Sequence, residues 1–338
     1  MNLIIPPKLK IGDTLAIISP SGGLAGLVPY RLDNAIKFLE SWGFKIKEYP
    51  TTRKTNGWES APAKERAKDI MQAFLDKDVN GILCSIGGCN SNKVLKYLDF
   101  KKIRENPKIF CGYSDASVLH YAFHKMSGLV TFYGPAAMTQ FGEFPKPLDY
   151  TLRYFEKAVM NNVPIKYVEP SKVWTDEVLD WFTKKDLEGP RKLKENPGYE
   201  WLRKGFAEGE IIGGCISSII HLIGTKYWPS HKDKILFFET PEGEDFTKGE
   251  DLSNVDALLA DLDNAGIFKE IKGLIIGRPF GYTDEEKNKF KEIILDNTSD
   301  YNFPILYGVD IGHTDPQITI PLDSKVLIDS KKNLFRIG

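Results

Sequence analysis

Apolar residues along this chain fall into short continuous runs, separated by stretches in which they recur at helical spacing. Thr14–Ser19 reads as a buried strand closed by Pro20-Ser21-Gly22-Gly23. Leu32, Ala35, Ile36 and Leu39 then share one face of a helix that Gly43 stops. Lys45–Tyr49 is a short strand, and Ser60 with Pro62 opens a helix carrying Ala67, Ile70, Met71, Phe74 and Leu75. The strand Gly81–Ile86 leads through Gly87-Gly88 to a helix around Ser91–Leu98, and a strand from Ile109 ends at Ser114. Val118, Leu119, Ala122, Phe123 and Met126 mark the next helix, before a strand over Leu129–Tyr133. Such alternation predicts an α/β fold with a parallel sheet covered on both faces. Ligands of such sheets bind beyond the carboxyl ends of the strands, where Pro20–Gly23, Gly87–Asn90 and Ser114 all fall.

A helix over Pro147–Met160 closes this first unit, taken as residues 1–165. Residues 166–208 lose the periodicity, carry three tryptophans and many charges, and read as a linker and surface loop. From 209 to 338 short strands (Gly209–Gly213, Lys234–Phe238, Gly273–Ile276, Lys325–Ile328) mix with helices near Ile216–Leu222, Leu252–Ala265 and Glu285–Leu295. That pattern predicts a smaller, mixed α/β, barrel-like unit.

Hydrophobic residues make up 42% of the 338-residue chain, enough for about two domains with real cores. A formal charge of -1 gives no basic excess to neutralise phosphates, which argues against a nucleic-acid partner. No apolar run reaches membrane-spanning length, and Met1–Lys10 lacks the apolar core of an export signal. The four cysteines (Cys84, Cys89, Cys111, Cys215) show neither metal-ligand spacing nor a secreted disulfide framework. A reduced, cytoplasmic protein is the expectation.

Three strand-like runs lead to residues suited to hydrolysis: Ser114, Glu239 and, after Asp310-Ile311-Gly312, His313. A serine nucleophile needs a base for its proton, and the base needs an anion to hold its tautomer. Ser114 lies in Gly112-Tyr113-Ser114-Asp115-Ala116-Ser117, between strand and helix, although Ala116 stands where Gly-x-Ser-x-Gly has its second glycine. There the amide of Asp115 can meet an oxyanion, with the Gly88 amide as a second donor. The plainer alternatives are a helix cap at Ser114 or Asp115 and a simple turn at Gly87-Gly88. Gly87 and Asn90, in the loop after their strand, are candidates for substrate binding. His120 and His124, spaced i, i+4, lack the glutamate of the zinc-peptidase motif, so no metal is expected. No Walker motif occurs, and Ser21–Gly26 does not fit the dinucleotide fingerprint, so no cofactor is expected either.

Ala16–Ser21, Ser85–Asn92, Phe110–Asp115, Gly209–Gly214, Ile235–Glu239 and Gly312–Pro316, taken in order, carry a resemblance to the LD-carboxypeptidases and their relatives, the microcin C self-immunity proteins. The resemblance implies a serine peptidase with Ser114 as nucleophile, His313 as general base and acid, and Glu239 orienting His313. It also implies an oxyanion hole at Asp115 and Gly87-Gly88. The family fold is a flavodoxin-like first domain and a smaller second one, with the site between them, usually as a homodimer. One branch releases D-alanine from murein tetrapeptides. The other cuts an aminoacyl group from a modified adenylate and stacks an aromatic side chain on the base. The segment Val173–Trp181 is similar to the aromatic loop of the immunity branch, which implies Trp174 or Trp181 as the residue that stacks on the base, with packing of the loop as the alternative role, and favours a small-molecule or short-peptide substrate of adenylate type. Two positions depart from the family pattern: Cys215 follows Gly213-Gly214 where Asn is usual, and Cys89 replaces a common aromatic. Both departures weigh on substrate recognition and leave open a fold that binds without turnover.

Overall fold

The computed structural model describes residues 2–161 and 164–338; Met1, first in the segment read for an export signal, lies outside them. Five strands of the first half, Thr14–Ile18, Lys45–Glu48, Gly81–Cys84, Ile109–Gly112 and Phe132–Tyr133, pair in parallel in the order 2-1-3-4-5. That is the flavodoxin-like order, with its switch point between the first and third strands. A sixth strand from far along the chain, Ile320–Pro321, adds antiparallel to Phe132–Tyr133. Helices Pro29–Ser41, Ala63–Leu75 and Ser117–Ser127 bury the apolar faces that their spacing announced: Leu32, Ala35 and Leu39; Ala67, Ile70 and Phe74; Val118, Leu119, Ala122 and Phe123.

The second sheet is eight-stranded. Its centre is parallel, running Phe206–Cys215, Ile235–Glu239, Gly273–Gly277 and Ile305–Val309, with antiparallel strands on both flanks. The strand order has two free ends, so the barrel-like expectation becomes a curled half-barrel. Two helices, Leu252–Asn264 and Asp284–Asn297, cover it with Val255, Leu259, Leu262, Phe290 and Ile294.

Three local expectations change. The strand foreseen over Leu129–Tyr133 is regular only at Phe132–Tyr133, because Leu129 makes an isolated bridge to Ile4 instead. Ser91–Tyr97 is a 3-10 helix. The stretch 166–208 is only partly a surface loop: Glu200–Arg203 pairs with Ile305–Val309 at one edge of the second sheet, and Lys166–Tyr167 lies at the other.

Candidate active site

Ser114 follows Ile109–Gly112 at φ 61°, a left-handed conformation unusual for a side-chain-bearing residue. Strain of this kind, at a sharp turn between strand and helix, is what projects a nucleophile from a sheet. Neighbouring loops fix the turn. Asp115 is buried, and its carboxylate accepts from the Ser21 hydroxyl and from the Ser91 amide at 2.7 Å, tying together the loops after three adjacent strands. Ser117 Oγ donates to Ser114 O at 2.6 Å and accepts from the Cys215 amide at 2.9 Å. That second bond reaches the other sheet. It requires Gly214, whose added Cβ would fall 2.8 Å from Ser117 Cβ.

Gly87 faces Ser114 directly: a Cβ there would come within 2.7 Å of both Ser114 Cβ and Oγ. Glycine is therefore what leaves the Ser114 hydroxyl uncovered on this side. The Asp115 amide, second in its turn, has no intrahelical acceptor ahead of it.

Glu239 ends the strand Ile235–Glu239 and is buried. One carboxylate oxygen receives His313 Nδ1 at 2.6 Å; the other accepts from the Tyr133 hydroxyl. Gly312, at φ 97°, permits this approach, since a side chain there would strike the Glu239 carboxylate. The loop bearing His313 is held at both sides: Asp310 binds Ser171 N and Oγ and Arg278, while Asp315 exchanges backbone hydrogen bonds of 2.7 and 2.9 Å with Thr175. Burial alone would lower the His313 pKa, but Glu239, Glu242 and Asp315 outweigh it and lift the imidazole to about 9. Nε2, the atom that would face a serine hydroxyl, lies 3.5 Å from Glu242 Oε2. Among the described residues His313 makes no hydrogen bond to Ser114, although both line one cavity. Catalytic hydrogen bonds often close only around substrate.

That cavity, of about 490 Å³, opens at the switch point of the first sheet and is lined by Gly22, Gly23, Gly87, Gly88, Ser114 and His313. The same lining is rich in aromatic side chains, with Trp58, Trp181, Phe182, Phe246 and Phe280. Trp181 lies over the Arg31 guanidinium at 4.3 Å, and Arg31 in turn binds Asp186 at 2.8 Å. The two tryptophans thus part company. Trp174 is 6% exposed, lies outside the cavity lining, and is covered by Lys194, Arg278 and Lys287 at 4.8–5.4 Å, so its aromatic face is already taken. Asn90 is also a correction: it is buried outside the lining, and its amide donates to Glu59 at 3.2 Å. Cys89 lies outside the lining as well, with a thiol pushed up by burial and by Asp115. His120 and His124 have separate partners, Thr131 and Gly112 O for the first and Asp323 for the second.

Tyr133 and Ser117, both close to this centre, carry no functional assignment from the sequence, and Glu242 reads there as part of a solvated loop. Tyr133 alone carried a local signal, a polar residue at the carboxyl end of a strand in the sheet that bears the nucleophile.

A flavodoxin-like sheet joined to a half-barrel, with a strained serine and a Glu–His pair facing one cavity, defines a hydrolase of serine-peptidase type. Residues 15–134 match the LD-carboxypeptidase N-terminal domain and residues 208–328 the LD-carboxypeptidase C-terminal domain. The chain belongs to the LD-carboxypeptidase family. The microcin C7 self-immunity protein MccF of Escherichia coli is 31% identical over 98% of this chain and 95% of its own length. The structure of MccF in complex with aspartyl sulfamoyl adenosine aligns with a TM-score of 0.91 at 30% identity, covering 99% of this chain and 98% of that one. An MccF-like protein from Bacillus anthracis aligns at 0.89 with 36% identity, over 99% of this chain and 98% of its own. The murein tetrapeptide carboxypeptidase of Pseudomonas aeruginosa is 28% identical over 38% of this chain and 40% of its own length.

Proposed function

We propose that this protein cleaves the amide bond between an aminoacyl or peptidyl group and a modified adenylate through an acyl-enzyme on Ser114. The observation that carries the reading is that Ser114, His313 and the Trp181 loop line one and the same cavity. In this reading His313 Nε2 takes the Ser114 proton as Oγ attacks the carbonyl, and Glu239 holds the imidazolium. The amides of Gly88 and Asp115 receive the oxyanion. Collapse breaks the C–N bond, and the leaving nitrogen takes the proton from His313. Water, deprotonated by the same imidazole, then releases the acid and frees Ser114. Trp181 stacks on the base, a contact worth about 1–3 kcal/mol.

The reading retains a nucleophile-bearing unit over 1–165, an aromatic linker over 166–208 and a Glu/His unit over 209–338. It also retains a cytoplasmic homodimer that protects its cell from aminoacyl-adenylate antibiotics. The likeness to MccF along the whole chain supports it.

The test offers the purified protein an aminoacyl-sulfamoyl adenosine and a murein L,D-tetrapeptide and follows products by mass spectrometry. Cleavage of the adenylate, abolished by Ser114→Ala and weakened by Trp181→Ala but not by Trp174→Phe, is expected. Release of D-alanine from the tetrapeptide alone would move the protein to the murein branch.

A further inference from the structure

We propose that Tyr133 is a positioning residue of the hydrolytic centre, one that clamps the nucleophile turn to the acid of the Glu–His pair through its phenol oxygen. The inference rests on the assignment of Ser114, Glu239 and His313 made above.

Tyr133 closes the strand Phe132–Tyr133 and pairs in register with Gly112, two residues before Ser114. Its hydroxyl donates to Glu239 Oε1 and accepts from the Ser114 amide at 3.3 Å. One oxygen thus joins the backbone of the nucleophile, delivered by the first sheet, to a carboxylate delivered by the second. The ring cannot turn away. It is fully buried, edge-on to Phe237 at 5.1 Å and tilted against His120 at 5.8 Å. Phe237 lies on the strand that ends at Glu239, and His120 is itself fixed between Thr131 Oγ1 (2.8 Å) and Gly112 O (2.9 Å).

Two consequences follow for Glu239. With Oε1 held by the phenol, Oε2 is left for His313 Nδ1 at 2.6 Å, so the carboxylate has one orientation and the imidazole one tautomer. The donated hydrogen bond also draws charge from the carboxylate and moderates its pull on the imidazolium. Burial, reinforced by the Glu239 charge, pushes the phenol well above its usual range, so it remains a donor throughout the working pH. The weaker bond from the Ser114 amide helps hold a residue whose φ of 61° is otherwise unfavourable.

The discriminating variant is Tyr133→Phe, which keeps the ring and removes the clamp. Its kcat is expected to fall roughly 10- to 100-fold, the range for losing a hydrogen bond to a charged group, with KM changed less than about threefold. Glu239, freed of its donor, binds the imidazolium more strongly, so the acid limb of kcat/KM moves to higher pH. Site-specific 3-fluorotyrosine at position 133 keeps the packing while making a stronger donor, so the limb is expected to move the other way. It serves also if Tyr133→Phe does not fold. A lowered melting temperature with kcat and the limb unchanged, or a limb indifferent to fluorination, would reduce Tyr133 to a tie between the two sheets. Fluorophosphonate labelling of Ser114 in the wild type separates this from failure of the underlying assignment. A wild type that labels, beside a Tyr133→Phe variant of equal rate and equal pH dependence, overturns the role of Tyr133 alone. A wild type that does not label overturns both.

Discussion

At His313 burial and charge oppose each other, and charge wins. A buried imidazole ordinarily stays neutral, as the fully enclosed His120 does, its pKa lowered to about 4 by burial. His313 instead meets Glu239 at Nδ1 and Glu242 at Nε2, and its pKa rises to about 9. A general base must be neutral to accept a proton, so the sign is unambiguous: kcat/KM is expected to rise with pH, with an acid limb near pH 9 in the free enzyme. Glu242 is the more dispensable of the two carboxylates, because Glu239 alone holds the tautomer while Glu242 occupies the nitrogen that the serine needs. Glu242→Gln is therefore expected to move the limb to lower pH, and for every pH unit that it moves, activity at neutral pH rises about tenfold. Profiles measured to about pH 10.5 on both proteins, far enough above the limb to define its plateau, check this. An unmoved limb would remove Glu242 from the account.

At the scale of elements, the site is a set of strand ends whose spacing depends on glycine at the contacts. Gly87 is the most exposed to test, since its Cβ would meet Ser114 Oγ at 2.7 Å while its own backbone lies in an ordinary conformation. Gly87→Ala should thus displace the nucleophile without unmaking the fold. A misplacement approaching 1 Å costs about 100-fold in rate, so kcat is expected to fall by that order while the thermal melt moves only a few degrees. Equal losses of stability and activity would point to a general defect of the turn. The strands behind the site were the ones visible along the chain, because apolar runs are local signals: Gly81–Cys84 and Ile109–Gly112 stop two residues short of the ends expected at Ile86 and Ser114, and Ile235–Glu239 ends at Glu239 itself. What stayed hidden depends on partners distant in sequence. Glu200–Arg203 becomes a strand only by pairing with Ile305–Val309, and Tyr133 matters only because Glu239, 106 residues later, comes to its hydroxyl. Trp174 and Trp181 share one aromatic stretch and differ only in what covers them, a triad of cations for the first and one buried arginine for the second.

Across the whole molecule, the proposed reading puts chemistry and recognition on different supports, with an ionic connection between them. Ser114 belongs to the first sheet and Glu239 to the second, while Trp181 hangs on the long connection between them. What holds the Trp181 segment of that connection to the body is Arg31, fully buried on the helix Pro29–Ser41. It donates to Met138 O at 3.0 Å and Thr139 O at 2.9 Å, pairs with Asp186 at 2.8 Å, and lies under the Trp181 ring. Tyr30 reinforces the attachment: its hydroxyl lies 2.5 Å from Asp186 Oδ1 and 2.9 Å from Trp181 O, with its one proton shared between the two acceptors. Glu143 extends it: it lies 3.6 Å from Arg31 and binds Arg191, which also binds Asp315 beside the catalytic loop. Breaking a buried pair from one side leaves the other charge stranded, at a cost of about 3–5 kcal/mol. Arg31→Met fills similar space without the charge, so Asp186 loses its partner and Trp181 its platform, while nothing in contact with Ser114, Glu239 or His313 changes. The expected result is divided: a clearly lower melting temperature and KM for an aminoacyl-sulfamoyl adenosine raised roughly tenfold or more, with little change in the rate at which a small fluorophosphonate labels Ser114. Parallel loss of labelling and of adenylate cleavage would mean that the loop and the nucleophile form one cooperative unit, and that recognition cannot be altered in this protein without altering the chemistry.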